Sequence, residues 1–171
     1  TGADAHGLET TWMPGEAGAR ARLRGFRRVA LASYAAERDM PRSDATSRLS
    51  PHLRWGELSM RQAWAAGSGT GGEAWLRQLA WREFSQHALA NFPTLPERPL
   101  RAPFARMPWA RGSRALRAWQ RGETGYPLVD AGMRELATTG FMHGRVRMIA
   151  GSFLVKHLMV LWQEGQRLFW D

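Results

Sequence analysis

Apolar residues recur at helical spacing along most of this chain, and no stretch sustains the period-two alternation of a half-buried strand. The first helical stripe is predicted from Arg20 to just before Pro41, since the residue preceding a proline disfavours the helical conformation. Further helices are predicted over residues 59–66, 73–91, 113–120, 127–140 and 143–163. The pattern therefore predicts an all-α fold.

Local signals fix several of these ends. Ser59 with Gln62 is a capping-box signature, Ser113 can cap the next helix, and Pro127 suits a first helical turn. Gly140 closes the helix that Pro127 opens. Residues 1–18 show no periodic apolar pattern and are predicted to be a linker or a disordered start. Residues 19–171 are predicted to be a partial helical domain that is incomplete at its C-terminus.

Composition limits the class of function. The 24 Lys and Arg residues outnumber the 15 Asp and Glu residues, which gives a net charge of +9, and Lys156 is the one lysine. Arginine suits phosphate recognition, although abundant Ala, Gly and Arg also fit a GC-rich coding sequence. The absence of cysteine excludes disulfides and thiolate metal sites, and no metal site is predicted. With no apolar run of membrane-spanning length, a soluble, cytoplasmic monomer is expected.

One face of the helix predicted over 73–91 carries two indoles, an amide, a guanidinium and a hydroxyl. At 100° per residue, an arc of about 120° collects Trp75, Gln78, Trp81, Arg82 and Ser85. The opposite side is predicted to supply the core through Leu76, Leu79, Ala80 and Phe84. The polar face is interpreted as a ligand groove, with a surface of incidental tryptophans as the alternative.

Two further segments are weaker candidates. The loop Thr46, Ser47, Arg48, Leu49, Ser50 can wrap a phosphate, but an ordinary helix cap or turn is the favoured interpretation of these residues alone. Gly144 and Gly151 share a helix face, for which tight helix packing is the simpler reading. Arg145 and Arg147 are separated by about 200° and cannot serve one site.

Four strings together are similar to the signatures of the photolyase and cryptochrome family, in the family's order and spacing. They are TSRLSPHLRWGELS (46–59), WLRQLAWREF (75–84), TGYPLVDAGMREL (124–136) and GFMHGRVRMIAGSFLVKHL (140–158). The resemblance implies a helical FAD-binding domain. Residues implied to bind FAD are Tyr34, Thr46, Ser47, Arg48, Leu49, Ser50, Trp75, Gln78, Arg82, Gly144 and Arg147.

The family's chemistry is light-driven repair of pyrimidine dimers, in which the excited reduced flavin donates an electron to the lesion and later recovers it. The partner implied is damaged DNA, with the dimer flipped out of the duplex. Residues implied to contact the DNA or the lesion are Arg38, Gln78, Trp81, Arg82, Ser85, Gly144, Arg145 and Met148. Trp109 and Trp162 match the outer and middle tryptophans of the chain that photoreduces the flavin.

The sequence departs from the family at three positions. Gln78 stands where cyclobutane-dimer photolyases carry Glu, Gly144 where the family has Asn, and Phe141 where it has Trp. The family's N-terminal antenna domain, which would carry the second chromophore, and the C-terminal part of the FAD domain are absent from the sequence. The chain by itself is therefore expected to bind FAD poorly and to be inactive in repair.

Three functions remain open at this point. The first is the photolyase, and the second is a blue-light signalling flavoprotein of cryptochrome type, which Gln78 and Gly144 favour. Trp81 and the arginine-rich composition favour repair. The third is a basic helical module that binds nucleic acid without a cofactor.

Overall fold

The computed structural model describes residues 5–69, 71–110 and 114–170. Within these ranges the α-helices are α1 (Ala5–Thr11), α2 (Gly15–Val29), α3 (Tyr34–Glu37), α4 (Ser50–Arg54), α5 (Met60–Gly67), α6 (Glu73–Asn91), α7 (Arg114–Arg121), α8 (Pro127–Thr139), α9 (Gly144–Ser152) and α10 (Trp162–Trp170). A 3-10 helix spans Ala102–Arg106 and a π-helical turn spans Phe153–His157. In the described ranges no strand occurs, and Ala110 meets Val160 only in an isolated bridge. The predicted all-α fold is confirmed.

The predicted caps of α5 and α8 are present. Ser59 Oγ accepts a hydrogen bond from the Gln62 backbone N–H at 3.2 Å, and the Gln62 side chain accepts one from the Ser59 N–H at 2.8 Å. These reciprocal bonds satisfy two donors that a helix start otherwise leaves open. Gly140 has a φ of 68°, the left-handed conformation expected where a glycine ends a helix. The cap predicted at Ser113 lies outside the described residues.

The chain divides into two compact units, each with its own core. One unit runs from Trp12 to Asn91, and the described residues before and after it form the other. The first core gathers around Phe26, whose ring lies 5.0 Å from Trp75 and 5.7 Å from Tyr34 between centroids. Leu49 and Leu79 belong to the same buried cluster. Burial of these aromatics supplies much of the driving force for this unit.

Trp119 is the centre of the second core. Its side chain is fully buried, and its indole N–H donates to the Ala150 carbonyl oxygen at 3.0 Å. The Phe169 ring packs edge-on against it at 5.6 Å. The helices α8 and α9 pack so closely at Gly132 that a Cβ there would overlap the Val146 side chain. The absence of a side chain at Gly132 permits this approach. This packing holds the start of α9 at a fixed position on α8.

The prediction of a linker over residues 1–18 is wrong in its described part. Residues 5–11 form α1, and α2 already begins at Gly15. The small residues that suggested a linker instead permit close packing: a Cβ on Gly7 would overlap the Thr138 carbonyl, and one on Gly18 would overlap the Met13 carbonyl. A stripe of bulky apolar residues is unnecessary where backbones touch directly.

Two predicted helices are interrupted. The helix predicted from Arg20 to Pro41 breaks at residues 30–33, where Ala30 and Leu31 turn inward and are buried. The helix predicted over 143–163 ends at Ser152, passes through the π-turn, and restarts as α10 at Trp162. Met159 has a φ of 53°, so the chain reverses locally and Val160 enters the core. Helical periodicity alone cannot locate such breaks, because tertiary contacts decide them. No helix in the described ranges is long and apolar enough to cross a membrane.

Candidate functional site

The loop over residues 46–50, which we call the hydroxyl loop, offers hydroxyl and guanidinium groups from an anchored backbone. Thr46 and Ser47 are half-buried, whereas Leu49 is 1% exposed and belongs to the core. Arg48 has a φ of 50°, which is uncommon for a residue other than glycine, and its Nε lies 3.2 Å from Asp44 Oδ1. Two hydroxyls and a cation on a fixed turn are a donor set that suits a phosphate.

Tyr34 lies in the same core cluster as Leu49. Burial is the main cause that raises the pKa of Tyr34, and the neighbouring Arg38 opposes it, so the phenol stays protonated at neutral pH. The Arg38 guanidinium lies over the Tyr34 ring at 5.6 Å and pairs with Asp39 at 3.1 Å. These contacts fix Arg38 at the end of α3, where it is partly exposed.

The helix α6 presents part of its predicted polar face to solvent. Gln78 and Arg82 are half-buried one turn apart, and the Trp81 side chain is 58% exposed. Trp81 packs edge-on against Phe84 at 5.6 Å. The Ser85 hydroxyl donates to the Trp81 carbonyl oxygen at 2.9 Å, so it is bonded to its own helix. An exposed indole beside an amide and a guanidinium can receive a planar polar ligand.

The core stripe predicted for α6 is partly wrong. Leu79 is buried as expected, but Ala80 and Phe84 are exposed. Trp75, which the sequence placed on the ligand-facing arc, is instead 2% exposed and fills the core. Phe26 and Gly67 supply its contacts, since a Cβ on Gly67 would touch the indole. The partners that bury α6 lie on its Trp75 side, a choice that the helix sequence alone does not reveal.

At the start of α9 a histidine acts as the cap. His143 Nδ1 accepts from the Arg145 backbone N–H at 3.2 Å, which leaves the proton of the neutral ring on Nε2. The ring is 5% exposed, and Nε2 has no hydrogen-bond partner among the described residues. Gly144 follows at the exposed first position of the helix, and a Cβ there would meet nothing within 4 Å.

The arginines of α9 serve different clefts, as their angular separation predicts. Arg145 and Met148 line a cleft of about 670 Å³ together with Tyr126, Ile149 and residues of the π-turn. The Arg147 guanidinium lies over the Phe169 ring at 5.4 Å. Arg147 lines a second cleft, of about 420 Å³, that also contains Gly151 and Trp162. The glycine stripe therefore leaves open space along α9 rather than a tight helix contact at Gly151.

The structure brings Trp109 and Trp162 together. Both indoles line a cleft of about 360 Å³ with Phe104, and both line a neighbouring one of about 460 Å³. The Ala110 N–H donates to the Met159 carbonyl oxygen at 2.7 Å, which ties the segment carrying Trp109 to the turn before α10. Two indoles that line the same clefts suit an electron relay.

Two polar networks were not predicted from the sequence. His52 and Glu57 form a hydrogen-bonded pair across a turn at Gly56, whose φ is 75°. Asp130 is buried and accepts hydrogen bonds from the Thr124 N–H at 2.8 Å, the Thr124 hydroxyl and the Gly125 N–H. The Asp130 network could have been predicted, since an acidic residue in the first turn after Pro127 is a recognisable helix-start signal. The first has a five-residue spacing that matches no helical pair.

The predicted site residues fall in both compact units. The unit from Trp12 to Asn91 carries Tyr34, Arg38, Thr46, Ser47, Arg48, Leu49, Ser50, Trp75, Gln78, Trp81, Arg82 and Ser85. The other unit carries Trp109, Gly144, Arg145, Arg147, Met148 and Trp162. The structure brings Gln78, Trp81 and Arg82 together on α6, and it places Trp109 and Trp162 in shared clefts. Arg145 and Arg147 line different clefts.

Comparison with known proteins places this arrangement among flavoproteins. A family model described as the FAD binding domain of DNA photolyase matches residues 75–171. A deoxyribodipyrimidine photo-lyase of Synechococcus is 42% identical over 91% of this chain and 34% of its own length. Cryptochrome-1 of Arabidopsis thaliana is 39% identical over 96% of this chain and 26% of its own length.

The similarity extends to solved structures. The crystal structure of a bacterial class III photolyase from Agrobacterium tumefaciens superposes with a TM-score of 0.95 at 42% identity. That superposition covers 98% of this chain and 36% of the other. The chain thus spans roughly a third of the photolyases it matches and about a quarter of the cryptochrome.

Proposed function

Because the chain belongs to the family of FAD-binding domains of DNA photolyase, we propose that it provides the flavin-binding and lesion-facing residues of a light-driven DNA repair enzyme. The observation that carries the proposal is the set of relatives of 42–46% identity named deoxyribodipyrimidine photo-lyase. The substrate proposed is DNA containing pyrimidine dimers.

The residues of the hydroxyl loop fit the cofactor. Thr46, Ser47 and Arg48 offer hydroxyl and cationic donors to a pyrophosphate from a turn that buried Leu49 anchors. Arg147 faces an open cleft and is proposed to lie beside the flavin ring, where a cation favours negative charge. When bound, the flavin supplies light-driven electron transfer, which no side chain of the protein can provide.

The lesion-facing role is assigned to exposed groups. Trp81 offers a flat apolar surface for stacking on an extruded pyrimidine, and Gln78 offers both a donor and an acceptor to its polar edge. Arg38, Arg82 and Arg145 are proposed to bind phosphate or the lesion, and Met148 borders the same cleft as Arg145. Trp109 and Trp162 share two clefts, which supports a role in carrying an electron between neighbouring indoles.

A first experiment tests the cofactor. The purified chain is incubated with excess FAD, free cofactor is removed, and the absorption spectrum is recorded. Weak but measurable retention of flavin is expected for the unaltered chain, with less in T46A/S47A. The control S68A/T138A removes two hydroxyls that bond to their own helices and should retain as much as the unaltered chain. Equal retention by both variants would refute the loop's role. A colourless protein that still binds DNA would favour the cofactor-free nucleic-acid module.

A second experiment tests the reaction. Duplexes with a single thymine dimer are illuminated with the flavin-loaded protein, and restored thymines are counted against a dark control. Light-dependent splitting supports the photolyase. Retained flavin without splitting is the outcome expected of this chain by itself, and it keeps a cryptochrome-type signalling flavoprotein as the second candidate, for which the 39% identity to a cryptochrome and the presence of Gln78 are the specific grounds.

Gly144 provides a matched test of the departure from the family. Its position has space for a side chain, so G144N should fold normally and restore the amide that the family carries there. Faster dimer splitting by G144N at unchanged flavin content would assign the amide to the lesion. An unchanged rate would show that this chain's chemistry does not need it.

A further inference from the structure

We propose that the outer face of α2 is a second nucleic-acid contact, which binds the sugar-phosphate backbone independently of any lesion or flavin. Four arginines define this face: Arg20, Arg24, Arg27 and Arg28. At 100° per residue they fall within an arc of about 100°, and all four are exposed. We call this set the α2 arginine face.

The charge on this face is poorly compensated. Glu16 is the acidic residue within α2, and it pairs with Arg20. Among the described residues, no carboxylate forms an ion pair with Arg24, Arg27 or Arg28. Three guanidinium groups on one helix surface repel one another unless an anion lies between them, so a polyanion gains free energy by binding there.

A ridge of small residues runs beside the arginines. Ala17, Ala21 and Gly25 follow one another at four-residue spacing, about 60° around the helix from Arg20, Arg24 and Arg28. Both alanines are exposed, and a Cβ on Gly25 would meet nothing within 4 Å. A backbone strand can therefore approach α2 closely while the longer arginines reach its phosphates from one side. Arg20, Arg24 and Arg28 follow one another about 6 Å apart along the helix axis, since each of the four intervening steps rises 1.5 Å.

The chemistry favours nucleic acid over a membrane surface. A helix that lies in a bilayer interface must insert an apolar face, but the apolar face of α2 is already used. Ala19 is fully buried, Phe26 is 6% exposed, and Leu23 packs against the same core. Arginine also binds phosphate oxygens through two parallel hydrogen bonds, which fits a row of phosphates.

The face is separate from the proposed lesion contacts. Phe26 of α2 packs against Trp75 of α6, the helix that carries Trp81 and Arg82. Arg24 and Arg28 lie about 160° from Phe26 around α2, so they point away from α6. None of the residues of the α2 arginine face belongs to the set proposed for flavin or lesion. The inference extends the proposed function, yet it requires neither cofactor nor damage.

The test uses the full chain with an undamaged 20-base-pair duplex, in the dark and without added flavin. Affinity is measured by fluorescence anisotropy over a series of NaCl concentrations. The slope of log affinity against log salt is negative, and each lost phosphate contact lowers its magnitude by about 0.9. The variant R24Q/R27Q/R28Q should therefore lower the magnitude of the slope by roughly 2 to 3. The control R77Q/R101Q/R121Q removes the same charge from scattered exposed positions and should lower it by less than about 1.

Three results would overturn the proposal. An unchanged slope in the α2 triple variant would show that these arginines do not contact phosphates, and equal changes in both triples would show that only net charge matters. Binding of the unaltered chain to phosphatidylserine vesicles but not to the duplex would assign the face to membranes instead. Far-UV circular dichroism establishes that both triple variants keep their helix content. Failure of flavin binding or of dimer splitting leaves these readings unaffected, so the two proposals fail separately.

Discussion

The Nδ1 atom of His52 lies 2.6 Å from Oε2 of Glu57, and the other oxygen of that carboxylate accepts the Gly15 N–H at 2.8 Å. One side chain thus joins the start of α2 to the turn that follows α4. Trp12 packs edge-on against the His52 ring at 6.4 Å. His52 lies two residues after Ser50, the last residue of the hydroxyl loop.

Glu57 should make the protein sensitive to acid. The hydrogen bond from His52, followed by that from Gly15, lowers the pKa of Glu57 below its ordinary value of 4.5. A carboxyl with a lower pKa in the folded state stabilises the fold above its unfolded pKa, and this contribution is lost as pH falls through the folded pKa. The free energy of unfolding, measured with urea from pH 6 to pH 3, should therefore fall more steeply in the unaltered chain than in E57Q. The exposed control E83Q should keep the steep fall. Identical pH dependence in E57Q and the unaltered chain would contradict the role of the pair.

Trp75 and Trp81 should separate stability from binding. W75A removes a buried indole from the core and should lower the free energy of unfolding by about 3–5 kcal/mol. W81A removes a largely exposed one and should cost less than about 1 kcal/mol. Urea denaturation measures both values. If Trp81 stacks on an extruded pyrimidine, W81A should weaken binding to damaged DNA more than to intact DNA. Equal losses for the two DNAs would refute the stacking role.

Gly132 should tolerate no side chain. A Cβ at this position would overlap the Val146 side chain, so G132A should force α8 and α9 apart and destabilise the fold by about 1–3 kcal/mol. The matched control G25A adds a methyl group to open space in α2 and should stabilise by about 0.5–1 kcal/mol. Thermal melting compares the two. A change of equal size and sign in both variants would contradict the role of the close approach at Gly132.

His143 should be a cap in one fixed tautomer. Its Nδ1 accepts from the Arg145 N–H, so two-dimensional NMR of the ¹⁵N-labelled protein near pH 8 should show the proton on Nε2. H143A should cost about 0.5–2 kcal/mol through loss of the cap, and H143N should recover most of it because asparagine is a good capping residue. A proton on Nδ1, or no rescue by H143N, would argue against capping. The hydrogen bonds of Asp130 at the start of α8 serve as an internal reference, since neither H143A nor H143N should alter them.

Much of the fold could be predicted where the determinants are local. The start of α5 follows from Ser59, and the two ends of α8 follow from Pro127 and Gly140, because caps and breakers act within a few residues. The bounds of α6, Glu73 and Asn91, also match the predicted range. The resemblance of four strings named the right family. The roles it implied for individual residues stay predictions, now with defined exposure and neighbours.

The sequence alone predicts most of the longer helices and the chemical groups that each one carries, whereas α1 and α4 were not predicted. Tertiary contacts determine which face of each helix is buried: Trp75 lies inside while Phe84 and Trp81 are exposed, because the burying partners Phe26 and Gly67 belong to other helices. Tertiary contacts also fix the breaks after Val29 and Ser152. They place Trp109 and Trp162, which are 53 residues apart in the sequence, in the same cleft. Helical period records only that a segment is amphipathic, whereas burial depends on contacts between segments whose separation along the chain the period does not encode.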